Sequence, residues 1–217
     1  MQFETLSVTL DAHIATVRLN RPEKANAMNA TMWQEIRQAF EWVDRTPEAR
    51  VAMLQGEGKL FCAGIDLQMM MGIGPQIAND CDGRMRESLR RMILDMQDTL
   101  TSLERCRKPV LAAIHGGCIG GAVDMVTACC MRYASADAFF CIQEINIGMV
   151  ADVGTLQRLP KLLPMALVKE LAYTGRRLSA DKALAHGLVN EVLPTHEAAV
   201  AAALQAAKEI ARDRKSV

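Results

Sequence analysis

The chain has 217 residues, 50% of them hydrophobic, and its 25 Lys and Arg balance its 25 Asp and Glu. This length allows one large hydrophobic core and disfavours a second full domain. The zero formal net charge excludes a general electrostatic attraction to nucleic acid or anionic membrane, so we expect no nucleic-acid partner.

The cysteines and the N-terminus indicate the compartment. The seven cysteines are odd in number and lack C-x-x-C spacing, which disfavours a disulfide framework or a zinc ribbon. Cys62, Cys129, Cys130 and Cys141 lie among small or apolar residues and are expected to be buried. The first residues resemble neither a signal peptide nor a presequence, and no apolar run approaches about 18 residues. We therefore expect a cytoplasmic protein without membrane insertion.

The pattern of apolar residues predicts alternating strands and helices. The first half of the chain is predicted to form a hairpin of strands 3–10 and 13–19, a helix capped by Asn29, a strand at 51–55, a long helix at 84–105 and a strand at 110–114. A short helix is predicted after the glycines at 116–121, followed by a strand at 138–140 and helices at 153–159, 165–173 and 179–186. The last predicted elements are a strand at 189–192 and a helix at 197–212. The glycine- and proline-containing stretch 72–83 is expected to be disordered. This alternation favours a layered α/β fold.

Two glycine-bearing turns follow predicted buried strands, at residues 61–67 and 116–121. In each turn the backbone N–H groups are free to face a ligand. The second turn matches neither the phosphate-loop pattern nor the dinucleotide G-x-G-x-x-G spacing. Together the turns could form an oxyanion hole beside acid and base groups.

Three carboxylates, Asp124, Glu144 and Asp152, each stand beside a run of apolar residues. An ionised carboxylate removed from water is costly unless it is paired or neutralised. Three such acids indicate shifted pKa values and therefore proton chemistry. For Asp152 a simpler interpretation stays open, since aspartate also caps helices and a helix is predicted from Val153.

An ordered set of segments resembles the enoyl-CoA hydratase/isomerase, or crotonase, family over essentially the whole chain. These segments are 20–28, 61–67, 108–110, 115–117, 120–124, 154–159 and 174–180. The resemblance implies a crotonase-like spiral of ββα units as the core domain at 1–195, and the start of a C-terminal helical region, expected to be truncated, at 196–217. It also implies an acyl-CoA substrate, no cofactor apart from the coenzyme A of the substrate, and a homo-oligomer, either a trimer or a dimer of trimers.

The resemblance further implies residue roles. The backbone N–H groups of Ile65 and Gly121 would form an oxyanion hole for a thioester carbonyl. The residues expected to contact coenzyme A or substrate are Lys24, Ala25, Ala27, Ala63, Gly64, Ile65, Asp66, Leu67 and Gly121. Asp66 is also expected to order its own turn. No histidine has metal-ligand spacing, and no metal site is predicted.

The acids are most similar to the Δ3,5-Δ2,4-dienoyl-CoA isomerase branch of that family. Asp124 and Glu144 match positions of the two catalytic glutamates of hydratases, whereas Asp152 matches a position that is typically glycine there. The implied reaction, a step of fatty-acid β-oxidation, removes a proton at C2 and adds one at C6. We assign Glu144 to C2 and Asp152 to C6, with the exchanged assignment open, and Asp124 to orienting the pair.

Two alternatives stay open. A 2-enoyl-CoA hydratase is disfavoured by aspartate at position 124 and by the extra acid at 152. A non-catalytic, for example RNA-binding, protein of the same fold is disfavoured by the neutral charge and the intact acids.

Overall fold

The computed structural model describes residues 2–212, so residues 213–217 of the predicted C-terminal region lie outside the described residues. The strands are β1 (Leu6–Asp11), β2 (Ile14–Leu19), β3 (Val51–Gly56), β4 (Val110–Ile114), β5 (Gly117–Ile119), β6 (Met131–Ser135), β7 (Phe139–Cys141), β8 (Leu178–Ser179) and β9 (Glu191–Leu193). The helices are α1 (Ala30–Arg45), α2 (Leu67–Ile77), α3 (Asp82–Arg105), α4 (Gly121–Thr127), α5 (Thr155–Arg158), α6 (Met165–Thr174), α7 (Ala180–Ala185) and α8 (His196–Arg212).

The larger sheet has the strand order β1-β2-β3-β4-β6-β9. Strands β1 and β2 form the predicted antiparallel hairpin, and every later pair in this sheet is parallel. The central strands β3 and β4 are buried along their whole length, as expected for parallel strands covered on both faces. A smaller sheet has the order β5-β7-β8. The predicted α/β class is confirmed.

Helix α1 begins as the sequence predicts. The side-chain oxygen of Asn29 accepts a hydrogen bond from the backbone N–H of Met32 at 2.9 Å, which satisfies one of the free donors of the first turn. Met32, Ile36, Phe40 and Val43 form the predicted face and are fully buried against one side of the larger sheet.

Helix α8 covers the opposite side of the sheet with small residues. Ala203, Ala207 and Ala211 recur every four residues and pack in one cluster with Val51 and Leu111 of the sheet. Alanine at these positions brings the helix close to the strands, because it adds only one methyl group between the two backbones. The sheet is therefore buried between two helical layers.

Three loops are joined by backbone hydrogen bonds at one edge of this core. The N–H of Met28 donates to the carbonyl of Gly64 at 2.8 Å, and the N–H of Cys62 donates to the carbonyl of Gly117 at 3.1 Å. Isolated bridges pair Met28 with Ile65 and Cys62 with Cys118. The two glycine-bearing turns that the sequence singled out therefore lie side by side.

Some predictions were wrong. The stretch 72–83 was expected to be disordered, but α2 continues to Ile77 through Pro75 and α3 begins at Asp82. Strand β6 was not predicted, and the predicted helix from residue 153 is shorter, since α5 begins at Thr155. Cys130 is exposed, whereas the other three cysteines expected in the core are buried. Within residues 2–212, no helix combines the length and apolarity needed to cross a membrane.

Candidate active site

A cavity of about 950 Å³ opens where the three loops meet α2 and α3. The loops line one part of the cavity, here called the polar end, with backbone and with most of its polar and charged groups. The other end is formed by apolar side chains of the helices and of the segment before α5, namely Ile73, Leu89, Ile93, Met96, Ile147, Met149, Val150 and Val153. A ligand with a polar part and an apolar part would match a cavity that has a polar end and an apolar end.

Ile65 and Gly121 each present an unpaired backbone donor at the polar end. Both residues line the cavity. Neither N–H donates a hydrogen bond to another group within residues 2–212, since Gly121 is the first residue of α4 and Ile65 lies in the loop before α2. Two converging donors of this kind would bind an oxygen atom that carries negative charge.

Glycine is required to bring these donors together. Gly64 has φ +88°, and a Cβ atom there would lie 2.6 Å from the carbonyl oxygen of Ile119 and 3.4 Å from the nitrogen of Gly121. Gly120 has φ +54°. Both conformations strain residues other than glycine, so the close approach of the two turns depends on these positions.

Arg21 and Asn26 hold the loop at 20–28 against the segment 57–66, which contains the first glycine-bearing turn. Asn26 is fully buried, and its side-chain amide donates to the carbonyl oxygen of Glu57 at 2.7 Å. Arg21 forms an ion pair with Asp66 at 3.1 Å and also donates to the carbonyl of Ala27. Asp66 accepts from the N–H of Gln68 at 2.9 Å, so it caps α2.

Burial opposes ionisation of Asp66, but its hydrogen bonds from Arg21 and from the Gln68 N–H outweigh burial and lower its pKa. The structural role predicted for Asp66 is confirmed. Of the residues expected to contact coenzyme A or substrate, all but Ala25 line the cavity: they are Lys24, Ala27, Ala63, Gly64, Ile65, Asp66, Leu67 and Gly121. Ala25 instead accepts a backbone hydrogen bond from the N–H of Ala63.

Glu144 lies beside Gly120, the residue that precedes one of the two unpaired N–H donors. It begins a 3₁₀ turn after β7, and a Cβ atom at Gly120 would lie 3.3 Å from its Oε1. Its Oε2 is buried and has no hydrogen-bond partner in the described part of the chain. Burial, followed by the negative charge of Asp124, raises the pKa of Glu144 to about 7. This carboxyl group is therefore able to take up or release a proton near neutral pH.

Asp124 is fully buried in α4 and does not reach the cavity. Its Oδ1 accepts a hydrogen bond from the N–H of Thr155 at 2.5 Å, at the start of α5, and its Oδ2 has no partner within residues 2–212. Burial raises the pKa of Asp124 to about 6, although the hydrogen bonding by Thr155 and the charge of Arg158 act in the opposite direction.

Asp152 lines the cavity next to its apolar end and is half-buried. Burial raises its pKa above the ordinary value. The simpler interpretation of Asp152 as a helix cap was wrong, because α5 begins at Thr155 with Gly154 as its N-cap residue. Asp124 is the carboxylate that holds this helix terminus. Asp152 thus has no capping role to explain its place in an apolar wall.

Arg177 and Trp33 also line the cavity, although neither was predicted as a site residue. Arg177 lines the cavity and lies 4.2 Å above the ring centre of Phe139, where the cation is attracted to the aromatic face. It belongs to the matched segment 174–180, which was the available signal. Trp33 and the apolar helical residues carried no local signal, because they come from helix faces that look like ordinary core.

The histidines do not form a metal site. His115 and His196 stack with ring centres 3.6 Å apart and an angle of 13° between the rings. Among the described residues, no group of three or more His, Cys, Asp or Glu side chains is arranged to hold a metal ion.

Comparison with known proteins gives consistent relatives. The family model described as enoyl-CoA hydratase/isomerase matches residues 9–217. The chain is 48% identical over 210 residues to the mitochondrial Delta(3,5)-Delta(2,4)-dienoyl-CoA isomerase of Homo sapiens, covering 96% of this chain and 64% of that protein. It is 46% identical over 190 residues to the peroxisomal Delta(3,5)-Delta(2,4)-dienoyl-CoA isomerase of Arabidopsis thaliana, covering 87% of this chain and 68% of that protein.

A crystal structure of an enoyl-CoA hydratase from Bacillus anthracis superposes on this chain with a TM-score of 0.85 at 32% identity. The match covers 97% of this chain and 78% of the hydratase. The chain thus spans somewhat less than two thirds of the human relative but most of this solved structure, and the predicted crotonase-like fold is confirmed.

Proposed function

Because the chain belongs to the enoyl-CoA hydratase/isomerase family, we propose that it isomerises a 3,5-dienoyl-CoA to the 2,4-dienoyl-CoA. The observation that carries this proposal is the pair of carboxyl groups, Glu144 and Asp152, that face one cavity and both have raised pKa values. A reaction that moves a proton from one carbon to another needs a base and an acid in the same site.

The thioester carbonyl would lie between the N–H groups of Ile65 and Gly121. Removing a proton from C2 transfers negative charge to this oxygen, and a fixed donor aimed at it is typically worth about 10²–10³ in rate. Lys24 and Arg177 are exposed cations at the cavity and would attract the phosphates of coenzyme A. Coenzyme A enters as part of the substrate, and the proposed chemistry uses no separate cofactor.

Glu144 would serve C2 and Asp152 would serve C6. The two N–H donors would hold the thioester oxygen, and Glu144 lies against Gly120, next to one of those donors, which supports its assignment to C2. Asp152 borders the apolar end, where the distal part of the diene would lie. Glu144 accepts the C2 proton as the dienolate forms, and the protonated Asp152 gives a proton to C6 as the double bonds shift.

Substrate binding would set the two protonation states. Glu144 has the pKa near 7, and burial also raises the pKa of Asp152. The acyl chain would displace water from around Asp152 and raise its pKa further, because desolvation disfavours the charged form. Two nearby carboxyl groups that share one proton then supply one base and one acid together.

The fully buried position of Asp124 favours isomerisation over hydration. A hydratase needs a group that activates water beside the bound substrate, and Asp124 does not reach the cavity. Its charge instead contributes to raising the pKa of Glu144. We also propose a homo-oligomer, supported by the exposed apolar side chains Ile145, Val150 and Tyr173.

The deciding experiment follows isomerisation of a 3,5-dienoyl-CoA by the ultraviolet absorbance of the conjugated product, with hydration of crotonyl-CoA measured in parallel. Asp152→Asn and Glu144→Gln should each lower isomerisation by roughly 10²–10⁴, the range for a lost acid or base group. Asp80→Asn, an exposed aspartate in the loop before α3, is the matched control and should leave the rate unchanged. Faster hydration than isomerisation by the unaltered protein would refute the proposal.

A further inference from the structure

The backbone of Asp152 is held by a side chain from outside the cavity. The Nε2 group of Gln97 in α3 donates a hydrogen bond to the carbonyl oxygen of Asp152 at 2.6 Å. Gln97 does not line the main cavity. This hydrogen bond therefore acts on the position of the acid and leaves its carboxyl group free to face the substrate.

The residues after Asp152 are held by the same face of α3. Arg158 is buried and donates to Glu104 at 2.9 Å and to the hydroxyl of Thr101 at 3.1 Å. The residues Gln97, Thr101 and Glu104 are spaced by four and three positions, so they form one polar stripe along the helix. The 152–158 segment is thus connected to α3 at both ends, by the side chain of Gln97 at Asp152 and by the side chain of Arg158.

Gly154 is part of this arrangement. It has φ +134°, and a Cβ atom there would lie 1.7 Å from the Nη1 atom of Arg158. Only glycine accommodates both this backbone conformation and the guanidinium. The turn that carries Asp152 is therefore built around the buried Arg158.

A second cavity of about 240 Å³ lies on the other side of Asp152, between the 152–158 segment and the polar stripe of α3. Asp152 borders both cavities. Its neighbours Ala151 and Val153 pack in the core, whereas on the side of the second cavity Asp152 has open space in place of packed side chains. The hydrogen bond from Gln97 is the contact at Asp152 itself that opposes movement into this space.

We propose that Gln97 is a positioning residue for the proton transfer at Asp152. This inference rests on the isomerase function proposed above. Without the hydrogen bond, the turn has room to shift toward the second cavity and to draw the carboxyl group away from C6. A misplacement of about 1 Å in an active site costs on the order of 10²-fold in rate.

Gln97→Met tests the proposal, since methionine keeps the length of the side chain and its helix propensity but removes the donor. The turnover number should fall by roughly 10- to 100-fold with little change in KM and in thermal stability. Gln157→Met is the matched control. Gln157 borders the same second cavity, is exposed, and makes no side-chain hydrogen bond within the described residues, so its loss should leave the turnover number unchanged.

A double-mutant cycle separates positioning from a general structural role. If Gln97 acts through Asp152, adding Gln97→Met to Asp152→Asn should lower the residual rate by less than about twofold. Equal losses in the two backgrounds would overturn the inference, as would a Gln97→Met protein with the turnover number of the unaltered protein.

Hydrogen–deuterium exchange gives a readout that does not depend on activity. Peptides that cover residues 150–158 should exchange faster in Gln97→Met than in Gln157→Met or the unaltered protein. If the unaltered protein does not isomerise dienoyl-CoA but exchange still increases in Gln97→Met alone, the proposed function fails while the anchoring of Asp152 by Gln97 is upheld. Unchanged exchange refutes the anchoring itself.

Discussion

Replacement of Asp124 by asparagine should stabilise the protein at alkaline pH. The folded protein holds the pKa of Asp124 at about 6, against an ordinary value of 3.8, chiefly because the carboxyl group is buried. A raised pKa means that the folded state binds this proton more tightly than the unfolded chain does. The resulting stabilisation is complete below pH 3.8 and is lost as the pH rises through about 6.

The size of the effect follows from the shift. At about 1.4 kcal/mol per pKa unit, the rise from 3.8 to about 6 corresponds to about 3 kcal/mol of folding free energy that is lost once Asp124 ionises. Asparagine is nearly the same size, carries no charge, and still offers an oxygen to the N–H of Thr155. We therefore expect Asp124→Asn to be more stable by up to about 3 kcal/mol at pH 8 and nearly unchanged at pH 4.

Urea unfolding at several pH values between 4 and 8 measures this difference directly. The free energy of unfolding of Asp124→Asn, minus that of the unaltered protein, should increase with pH, most steeply between about pH 4 and 6 and little above pH 7. Asp80→Asn, at an exposed site, should show a difference that stays flat. If Asp124→Asn is clearly less stable than the unaltered protein at pH 8, the negative charge of Asp124 must be compensated in the folded protein, for example by the positive charge of Arg158. That result would refute the reasoning.

Three further predictions concern activity. If Glu144 is the base, kcat/KM should fall as the pH is lowered, with an apparent pKa near 7. In Asp124→Asn this fall should move to lower pH, because the negative charge of Asp124 helps to raise the pKa of Glu144. An apparent pKa well below 7 in the unaltered protein would instead make Asp152 the base. Gly64→Ala should lower kcat by at least about 10-fold, because its Cβ atom would meet a carbonyl oxygen at 2.6 Å and displace the Ile65 donor; an unchanged kcat would contradict this geometry. Arg177→Gln should raise KM for the acyl-CoA, more so at low ionic strength, and leave kcat unchanged; a fall in kcat alone would place Arg177 in the chemistry.

The parts of the fold that sequence predicted well are those with strong local signals. Asn29 caps α1 as expected, because its side chain needs only the N–H of a residue three positions later. Strand β6 was missed because its residues Met131–Ser135 follow an apolar run that also suits a helix, and only pairing with β4 and β9 makes them a strand.

Helix α2 shows how tertiary packing overrides local preference. Gly72, Gly74 and Pro75 all disfavour a helix, and no atom lies within 4 Å of a Cβ placed on either glycine, so neither is needed for close packing. The helix is instead begun by Asp66 as its cap and held by Met69, which packs against the core. Neither contact is visible from the composition of the segment.

For the site, sequence predicted the residues better than their roles. The three acids, the two glycine-bearing turns and most cavity-lining residues carry recognisable motifs. The partner of Asp124 was not predictable, because Thr155 lies 31 residues away and the contact depends on how α4 meets α5. Motifs identify chemistry that is local in the chain, whereas capping and desolvation are set by packing between distant segments.

The different surroundings of the three acids support the different roles proposed for them. Asp124 is fully buried and does not line the cavity; its charge helps to raise the pKa of Glu144, and its Oδ1 accepts the hydrogen bond at the start of α5. Glu144 is half-buried, with its Oε1 beside Gly120 and its Oε2 buried, and its pKa is raised to about 7, which supports the proposed exchange at the carbon next to the thioester. Asp152 is half-buried at the cavity, and in the proposed mechanism it would be desolvated further when an acyl chain fills the apolar end. A carboxyl group that becomes protonated upon substrate binding would confine proton delivery to the occupied site, and the anchor proposed at Gln97, outside the cavity, would leave that carboxyl group free to contact the substrate.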